Sequence, residues 1–268
     1  MIENKIYALG IDYLLSYEAI TRQELDKHLI PIHQKPNDIK IVFERFCKTA
    51  QNKQMSVKVI GNSIGGVHNL DKVLFDFDPH KVAKAYSKQD SDLLFDTIKT
   101  TLHPTGKMRD TNRSLWPLYC KTVIDSAHFL ANFESIEAFY DWANFFANDS
   151  KSKPALPMLI SMEIDGIGFP LACDFLKEIG FEQYGKPDVH IKEIFKALDI
   201  IDANENSSSK LDYESLKAFD RIAKINNVSP YAVDKVFWLI GSGDFYLSDI
   251  KIGQNRNDFI EKVKNQLR

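Results

Sequence analysis

The stretch IDGIGFPLACDFLKEIGFEQYGKPDVHIKEIF, residues 164–195, decides the fold, because it places a tight turn between two helical patterns and an aspartate at the head of a third. Gly166 and Gly168 stand one residue apart, and Pro170 suits the first turn of the helix that follows. Glycines in such a turn permit positive φ and remove Cβ atoms, so that backbone amides become accessible. Amides at a helix N-terminus favour an anion, such as a DNA phosphate. A tight corner between helices that binds nothing explains the same glycines.

Asp188 follows Gly168 by twenty positions and comes directly after Pro187. An aspartate in this setting is commonly an N-cap, which accepts hydrogen bonds from the first amides of its helix. A carboxylate held there also stabilises positive charge that develops on a bound substrate, so both roles are open. We expect the helix dipole and the unpaired amides to keep Asp188 ionised at neutral pH and a weak proton acceptor. His190, in the first turn of the same helix, is interpreted as a packing or solvent-facing residue.

Helical periodicity dominates the rest of the chain. Thr21 with Glu24 forms a capping-box signal, and Asp78-Pro79 is a cap followed by proline at the first helical position. Other helices are predicted near residues 3–17, 91–102, 114–130, 135–147, 155–164, 189–198, 211–226, 230–240 and 257–267. The segment MSVKVIG favours a short strand near 56–60. We therefore predict a predominantly all-α chain.

We expect these helices to form two helical subdomains that flank a cleft, with a helix-hairpin-helix at one rim. In this scheme residues 1–102 form an N-terminal helical region that packs with the C-terminal helices. Residues 103–203 form the core that contains the hairpin, and residues 204–268 complete the domain. A chain of 268 residues with 44% hydrophobic content is long enough to bury a sizeable core.

The amino-acid composition excludes several classes of function for this protein. A formal net charge of −3 excludes a nucleic-acid binder that relies on bulk positive charge, so any contact with DNA must come from a local patch or from backbone donors. Cys47, Cys120 and Cys173 lie in apolar helical patterns, which is typical of buried thiols in a reducing compartment. No stretch approaches ~18 uninterrupted apolar residues, and we expect a cytoplasmic protein that does not enter the membrane. The seven histidines show no metal-ligand spacing, so no metal site is predicted.

A local basic patch occurs between Lys99 and Lys121, where five basic residues accompany one acidic residue. The loop HPTGKMRDTNR, residues 103–113, supplies the candidate DNA contacts Lys107, Arg109 and Arg113. Trp116 and Tyr119, in the helix that follows, are weaker candidates for a pocket that holds an unstacked base. The alternative is a solvated loop followed by two aromatic residues of the core.

The order of helix, DGIG, helix, short loop and KPDVHI resembles the helix-hairpin-helix DNA glycosylase superfamily over about residues 158–198. Members of that superfamily pair the hairpin with an essential aspartate at the head of a later helix. The resemblance implies double-stranded DNA as the partner and Asp188 as the catalytic residue. It also implies that the DNA backbone is bound by Gly166, Ile167, Gly168 and Phe169.

Two departures from the superfamily pattern refine this expectation. Members that also cut the DNA backbone carry a lysine where this chain has Pro170, because a free amine must attack the sugar. The resemblance therefore implies a monofunctional glycosylase, which hydrolyses the N-glycosidic bond of a damaged or modified base without strand cleavage. No cysteine follows Cys173, so the iron–sulfur cluster of some branches is missing and no cofactor is expected. A helix-hairpin-helix protein that binds DNA without catalysis is the alternative.

Overall fold

The structure is a computed structural model that describes residues 2–31, 34–111 and 113–267. It is predominantly helical, which confirms the predicted fold class. The α-helices of the described chain are α1 (Ile6–Leu15), α2 (Arg22–Leu29), α3 (Ile39–Ala50), α4 (Pro79–Ala85), α5 (Ser91–Leu102), α6 (Leu115–Leu130), α7 (Ile136–Ala147), α8 (Ala155–Glu163), α9 (Phe169–Glu178), α10 (Val189–Ala197), α11 (Ser208–Asn226), α12 (Pro230–Ser242) and α13 (Arg256–Leu267). Two short antiparallel strands, β1 (Asp244–Phe245) and β2 (Ile250–Lys251), precede α13. Within the described ranges, no helix combines the length and the apolar character needed to cross a lipid bilayer.

The contacts within the chain divide it into two compact units. The terminal unit comprises Met1–Gln34 and Leu176–Arg268, and the central unit comprises Lys35–Phe175. The second boundary falls inside α9, so the unit boundaries do not coincide with the predicted ones near residues 102 and 203. The 103–203 segment, which was expected to form one core, contributes to both units.

In the central unit, α6 is the element around which the others pack. It contacts α3, α4 and α5, and most of its side chains are buried. Cys47, Cys120 and Cys173 all belong to this unit, and all three are buried thiols outside any disulfide bond, as the sequence predicts. Burial raises the pKa of the Cys47 and Cys120 thiols. The centre of this unit is therefore closely packed and apolar.

In the terminal unit, α12 is the element around which the other helices pack. It packs against α1, α2, α10, α11 and α13, so the two ends of the chain share one core. Phe237 of α12 lies at the centre of this core and meets the rings of Phe195 and Phe259. Because α12 is packed among helices, the Asp234 carboxylate on it is only 1% exposed, so it needs a partner within the protein.

The helix starts agree with the predicted caps, because a cap depends on only three or four consecutive residues. The Thr21 hydroxyl accepts from the Glu24 amide at 3.2 Å, and Asp78 accepts from the Lys81 amide at 3.1 Å. Two ends differ from the prediction. The helix α12 continues through Gly241 to Ser242 and ends at Gly243, which has φ +66°. The helix α11 begins at Ser208, so the polar loop before it is shorter than 204–210.

The short strand predicted near 56–60 is wrong. The segment Lys53–Lys58 forms a 3-10 helix, and further 3-10 helices follow at Asn62–Ile64 and Val67–Lys72. Val57 and Val59 alternate as strand residues would, but both are exposed, and no strand of the described chain lies beside them to complete a ladder. Without a partner strand, the glycines that follow favour a succession of tight turns.

Candidate functional site

The hairpin predicted from the glycines is present in the central unit. The helix α8 ends at Glu163, α9 begins at Phe169, and Gly166 has φ +91°, a conformation that favours glycine. The Ile167 amide donates to the Ile164 carbonyl at 3.2 Å, and the Ile167 side chain is buried. Ile167 therefore holds the turn together and has no amide available for a phosphate.

The hairpin is fixed to α6 through the peptide groups of Asp165. The Thr122 hydroxyl donates to the Asp165 carbonyl at 2.7 Å, and the Asp165 amide donates to Asp125 Oδ2 at 3.1 Å. A Cβ atom at Gly166 would clash with Thr122 Oγ1. Gly166 is thus required by the close approach of α6 as well as by its positive φ, which favours the tight-corner interpretation at this position.

Gly168 has a different environment. It is exposed, and a Cβ atom built on it would meet only Pro170 Cδ, at 3.9 Å. The amides of Gly168 and Phe169 lie at the start of α9, and no acceptor in the described chain takes their hydrogens. Close by, the Lys53 ammonium lies 3.5 Å from the point that a Cβ of Gly166 would occupy. Two free amides and a nearby cation are suited to an anion.

Asp188 is the N-cap of α10 in the terminal unit. Its Oδ1 accepts from the amides of His190 at 2.9 Å and Ile191 at 3.1 Å. The cap that the sequence suggested is therefore present. No described residue donates to Asp188 Oδ2, so one carboxylate oxygen takes no part in the cap.

The electrostatic environment of Asp188 differs from the prediction. Burial raises the pKa of Asp188, and the negative charge of Asp234 raises this pKa further, while the hydrogen bond from the Ile191 amide opposes both effects. The expectation that the helix N-terminus would dominate and make Asp188 a weak proton acceptor is therefore wrong. Removal from water and a neighbouring carboxylate outweigh the helix amides, so Asp188 is a better proton acceptor than an exposed aspartate.

A buried ion pair in the same unit was not found from the sequence. Lys177, in the last turn of α9, donates to Asp234 Oδ2 of α12, and their side chains are only 4% and 2% exposed. The other oxygen, Asp234 Oδ1, is buried and has no hydrogen-bond partner among the described residues. The sequence contained one indication of this pair, because Asp234 follows Val233 directly in a helical segment that is mostly apolar.

The contacts of His190 support the packing role predicted for it. A Cβ atom at Gly241 of α12 would clash with the His190 ring, so α10 and α12 approach closely at this point. His190 Nδ1 is buried and has no hydrogen-bond partner in the described chain. The histidine is therefore wedged between two helices and is not exposed to a substrate through Nδ1.

The basic loop of the central unit has the exposure expected of a DNA contact. Lys107, Arg109 and Arg113 are all exposed, and none forms an ion pair with a described residue. A solvated loop would have the same exposure, so these residues stay predicted contacts.

The burial of Trp116 and Tyr119 does not support the base pocket predicted at these residues. Both rings are buried in the central unit, in an edge-to-face contact with ring centroids 5.9 Å apart. The Tyr119 hydroxyl donates to the Cys47 carbonyl at 3.0 Å, which links α6 to α3. The two residues are core anchors, because the apolar side of α6 faces α3, α4 and α5 and leaves no room for a nucleobase.

Surface concavities occur in both units. In the central unit, a groove of about 760 Å³ is bordered by α5, α6 and the hairpin and includes Asp125 and Asp165 in its lining. In the terminal unit, three concavities lie around residues 199–225. Asp188 lines none of these four. Among the described residues, no group of histidine, cysteine or carboxylate side chains has an arrangement that could hold a metal ion.

Comparison with known proteins gives no further guide, since no family model, curated protein or solved structure matches this chain. The hairpin and Asp188 therefore have to be judged by their own geometry. The hairpin residues Gly166–Phe169 and the basic loop belong to the central unit, and Asp188 belongs to the terminal unit.

Proposed function

We propose that this chain is a monofunctional DNA N-glycosylase of the helix-hairpin-helix type, which hydrolyses the glycosidic bond of a damaged or modified base flipped from duplex DNA. The observation that carries the proposal is the geometry of Asp188. One of its oxygens is fixed by two amides at the start of α10, and the other takes no part in the cap. A carboxylate held in this way is prevented from rotating while it presents one oxygen to a substrate.

The chemistry requires a fixed negative charge. Cleavage of the bond between a base and deoxyribose develops oxocarbenium character on the sugar, which a carboxylate near C1′ stabilises. In the proposed reaction, Asp188 Oδ2 supplies that charge. Because burial and Asp234 raise the pKa of Asp188, the same oxygen also accepts a proton from the attacking water more readily than an ordinary aspartate. The water adds to C1′ and the base leaves, so the product is an abasic site.

Pro170 is the reason for proposing hydrolysis without strand cleavage. Strand cleavage through a Schiff base needs a free amine at the sugar, and a proline side chain has none. The proposed enzyme needs no cofactor. Its reaction is a substitution by water at the sugar, in which no electrons are transferred.

Contact with DNA is assigned to the hairpin and to the basic loop. The amides of Gly168 and Phe169, at the start of α9, have no acceptor among the described residues, and they suit one phosphate of the DNA backbone. Lys107, Arg109 and Arg113 are exposed and form no ion pair with a described residue, so they are available to further phosphates. Within the turn, Gly166 and Ile167 contribute indirectly, because they hold Gly168 in place. We expect this protein to act in the cytoplasm.

A second candidate function is DNA binding without catalysis. It is favoured by the position of Asp188, which lines none of the four concavities described above and whose place at the start of α10 is already explained by the cap. In that case the hairpin amides would still bind DNA, and Asp188 would serve only the stability of α10.

The experiment that separates the two functions uses Asp188→Asn. Asparagine caps a helix about as well as aspartate, so this variant is expected to fold, while the negative charge is lost. Purified protein is incubated with duplexes that carry alkylated, oxidised, deaminated or hypermodified bases. Alkali then converts abasic sites to strand breaks. We expect cleavage after alkali with the unchanged protein and a loss of about 10²-fold or more in Asp188→Asn, with DNA affinity retained.

Asp78→Asn is the matched control, because Asp78 also caps a helix and lies in the central unit. It should leave base release unchanged. If the unchanged protein releases no base from any duplex but binds DNA, the second candidate function replaces the first. Equal release by Asp188→Asn and the unchanged protein would remove Asp188 from the mechanism.

A further inference from the structure

The groove of about 760 Å³ in the central unit has a size typical of sites for small molecules. Its walls come from the start of α5, one side of α6 and the end of α8 with the hairpin. Pro117 and Leu118 of α6 and Met162 of α8 give it an apolar lining. The rest of the lining is polar and charged.

Asp125 is the unusual member of the lining. Asp125 is only 5% exposed as a residue, yet it belongs to the lining of the groove. The Asp165 amide donates to Oδ2, and no described residue donates to Oδ1. No lysine or arginine of the described chain lies within ion-pair distance of the Asp125 carboxylate, since Lys121 pairs with Asp165. A buried carboxylate without a contacting ion-pair partner is costly. Burial raises the pKa of Asp125, and the Asp165 amide and the more distant charges of Lys88 and Lys121 offset this rise only in part.

The remaining charges do not neutralise Asp125. The lining includes the two lysines Lys88 and Lys121, and Lys121 forms an ion pair with Asp165. Two further carboxylates, Asp92 and Glu163, lie at the exposed border. After the ion pair is set aside, three carboxylates face one ammonium group, so the groove has an excess of negative charge.

We propose that this groove binds a small organic cation, an alkylammonium or guanidinium group on a short aliphatic stem, with its charge against Asp125. The cation would donate to Oδ1, the oxygen that has no partner in the described chain, and its stem would lie on Leu118 and Met162. A charge-assisted hydrogen bond in a partly dry site is among the stronger polar interactions in proteins. Such a ligand neutralises the carboxylate that the fold leaves unpaired. This proposal does not rest on the proposed glycosylase activity.

Agmatine is a suitable probe, because it carries both cationic groups on a four-carbon stem. The full-length protein is titrated with agmatine and followed by ¹H–¹⁵N spectra, in which the Asp165 amide reports directly on Asp125. We expect a saturable shift of this amide with a Kd of about 1 mM, as is usual for a ligand of this size. The uncharged analogue butylurea should bind much more weakly, and Mg²⁺ at equal ionic strength should not compete.

Asp125→Asn removes the charge and keeps an oxygen that accepts from the Asp165 amide. We expect this variant to bind agmatine about tenfold more weakly or worse. Asp141→Asn, an equal change of charge on the exposed side of α7, should bind as the unchanged protein does. If Asp125→Asn fails to fold, Met162→Lys replaces it. Met162 is 77% exposed, so this variant should fold, and its added ammonium group should weaken agmatine binding severalfold.

Three results would overturn the proposal. The first is the absence of a saturable shift at the Asp165 amide. The second is equal affinity for agmatine and butylurea, which would mean that charge is not recognised. The third is undiminished binding by Asp125→Asn or by Met162→Lys, which would locate the cation elsewhere.

Discussion

Asp188 uses one carboxylate oxygen for the first turn of α10, in an environment that disfavours its negative charge. Burial and Asp234 raise its pKa, with Lys186 and His190 acting in the opposite direction. The stability that this group contributes is therefore fully present below its ordinary pKa of 3.8 and is lost as the pH rises through the raised value. Ionisation of Asp188, which the proposed reaction needs, therefore lowers the free energy of unfolding.

This linkage predicts how substitutions of Asp188 change stability with pH. Asp188→Asn keeps the cap and carries no charge, so its stability relative to the unchanged protein should increase between pH 4 and pH 7. Asp188→Ala should lose the cap and about 1 kcal/mol at pH 4, where the charge matters least. Urea denaturation at both pH values measures these differences. A relative stability of Asp188→Asn that falls with rising pH would contradict the raised pKa.

The buried pair of Lys177 and Asp234 leads to a second prediction about stability. Lys177→Met leaves a buried carboxylate without its ammonium partner and should cost about 3–5 kcal/mol. Adding Asp234→Asn to Lys177→Met should restore much of this loss, because no uncompensated charge remains. The double-mutant cycle is measured by urea denaturation.

The matched control for the buried pair is Lys192→Met. Lys192 pairs with Asp212 at 2.8 Å in the same unit, and its side chain is 21% exposed, so water reaches the pair and the loss should be clearly smaller. Equal losses for Lys177→Met and Lys192→Met would mean that burial does not set the strength of these pairs.

At the scale of secondary-structure elements, the turn between α8 and α9 assigns different roles to its two glycines. Gly166 faces Thr122 of α6 and has φ +91°, so it serves the fold. Gly168 is exposed, a Cβ there would make only an ordinary contact with Pro170, and the amides of Gly168 and Phe169 have no acceptor in the described chain, so this position is available for binding. The pattern G-x-G in the sequence does not distinguish these roles, because the difference depends on Thr122 of α6, which is 43 residues from Asp165 along the chain.

This division predicts opposite results for the two glycines. Gly166→Ala should lose about 1–3 kcal/mol of stability, from the strained φ and the clash with Thr122. Gly168→Ala should change stability by less than about 0.5 kcal/mol. Gly168→Val should also fold, and its branched side chain should weaken binding to duplex DNA at low salt. Thermal denaturation and fluorescence anisotropy with a labelled duplex measure the two effects. Unchanged DNA affinity of Gly168→Val would exclude the hairpin as the contact.

At the scale of the whole molecule, features that depend only on neighbouring residues along the chain can be predicted from the sequence, and features that depend on distant contacts cannot. Helix caps such as Thr21 and Asp78 are predicted correctly, because the donor and the acceptor lie within four residues. The partnership of Lys177 with Asp234 spans 57 residues, and no local pattern indicates it. The rise in the pKa of Asp188 has the same origin, since it depends on Asp234 and on burial by surrounding helices. Local chemistry thus predicts where the hairpin and the cap are, and tertiary packing decides their electrostatics.

The division of the chain into units also depends on distant contacts. Residues of α1 and α2 share a core with α10 to α13, although most of the chain separates them. Helical periodicity indicates which face of each helix is buried but not which helix covers it. For the same reason the sequence offered Trp116 and Tyr119 as base-stacking candidates, and only the packing of α6 shows them to be core residues.

The distribution of thiols has a practical consequence. All three cysteines are buried in the central unit, and the terminal unit has none. Alkylating reagents attack the thiolate of an accessible cysteine, so modification of the native protein has to wait for an opening of the central unit. The rate of iodoacetamide incorporation, followed by mass spectrometry, therefore measures how often the central unit opens, and it needs no label or engineered residue. A comparison of this alkylation rate with the rate of global unfolding would show whether the two units unfold together or one after the other.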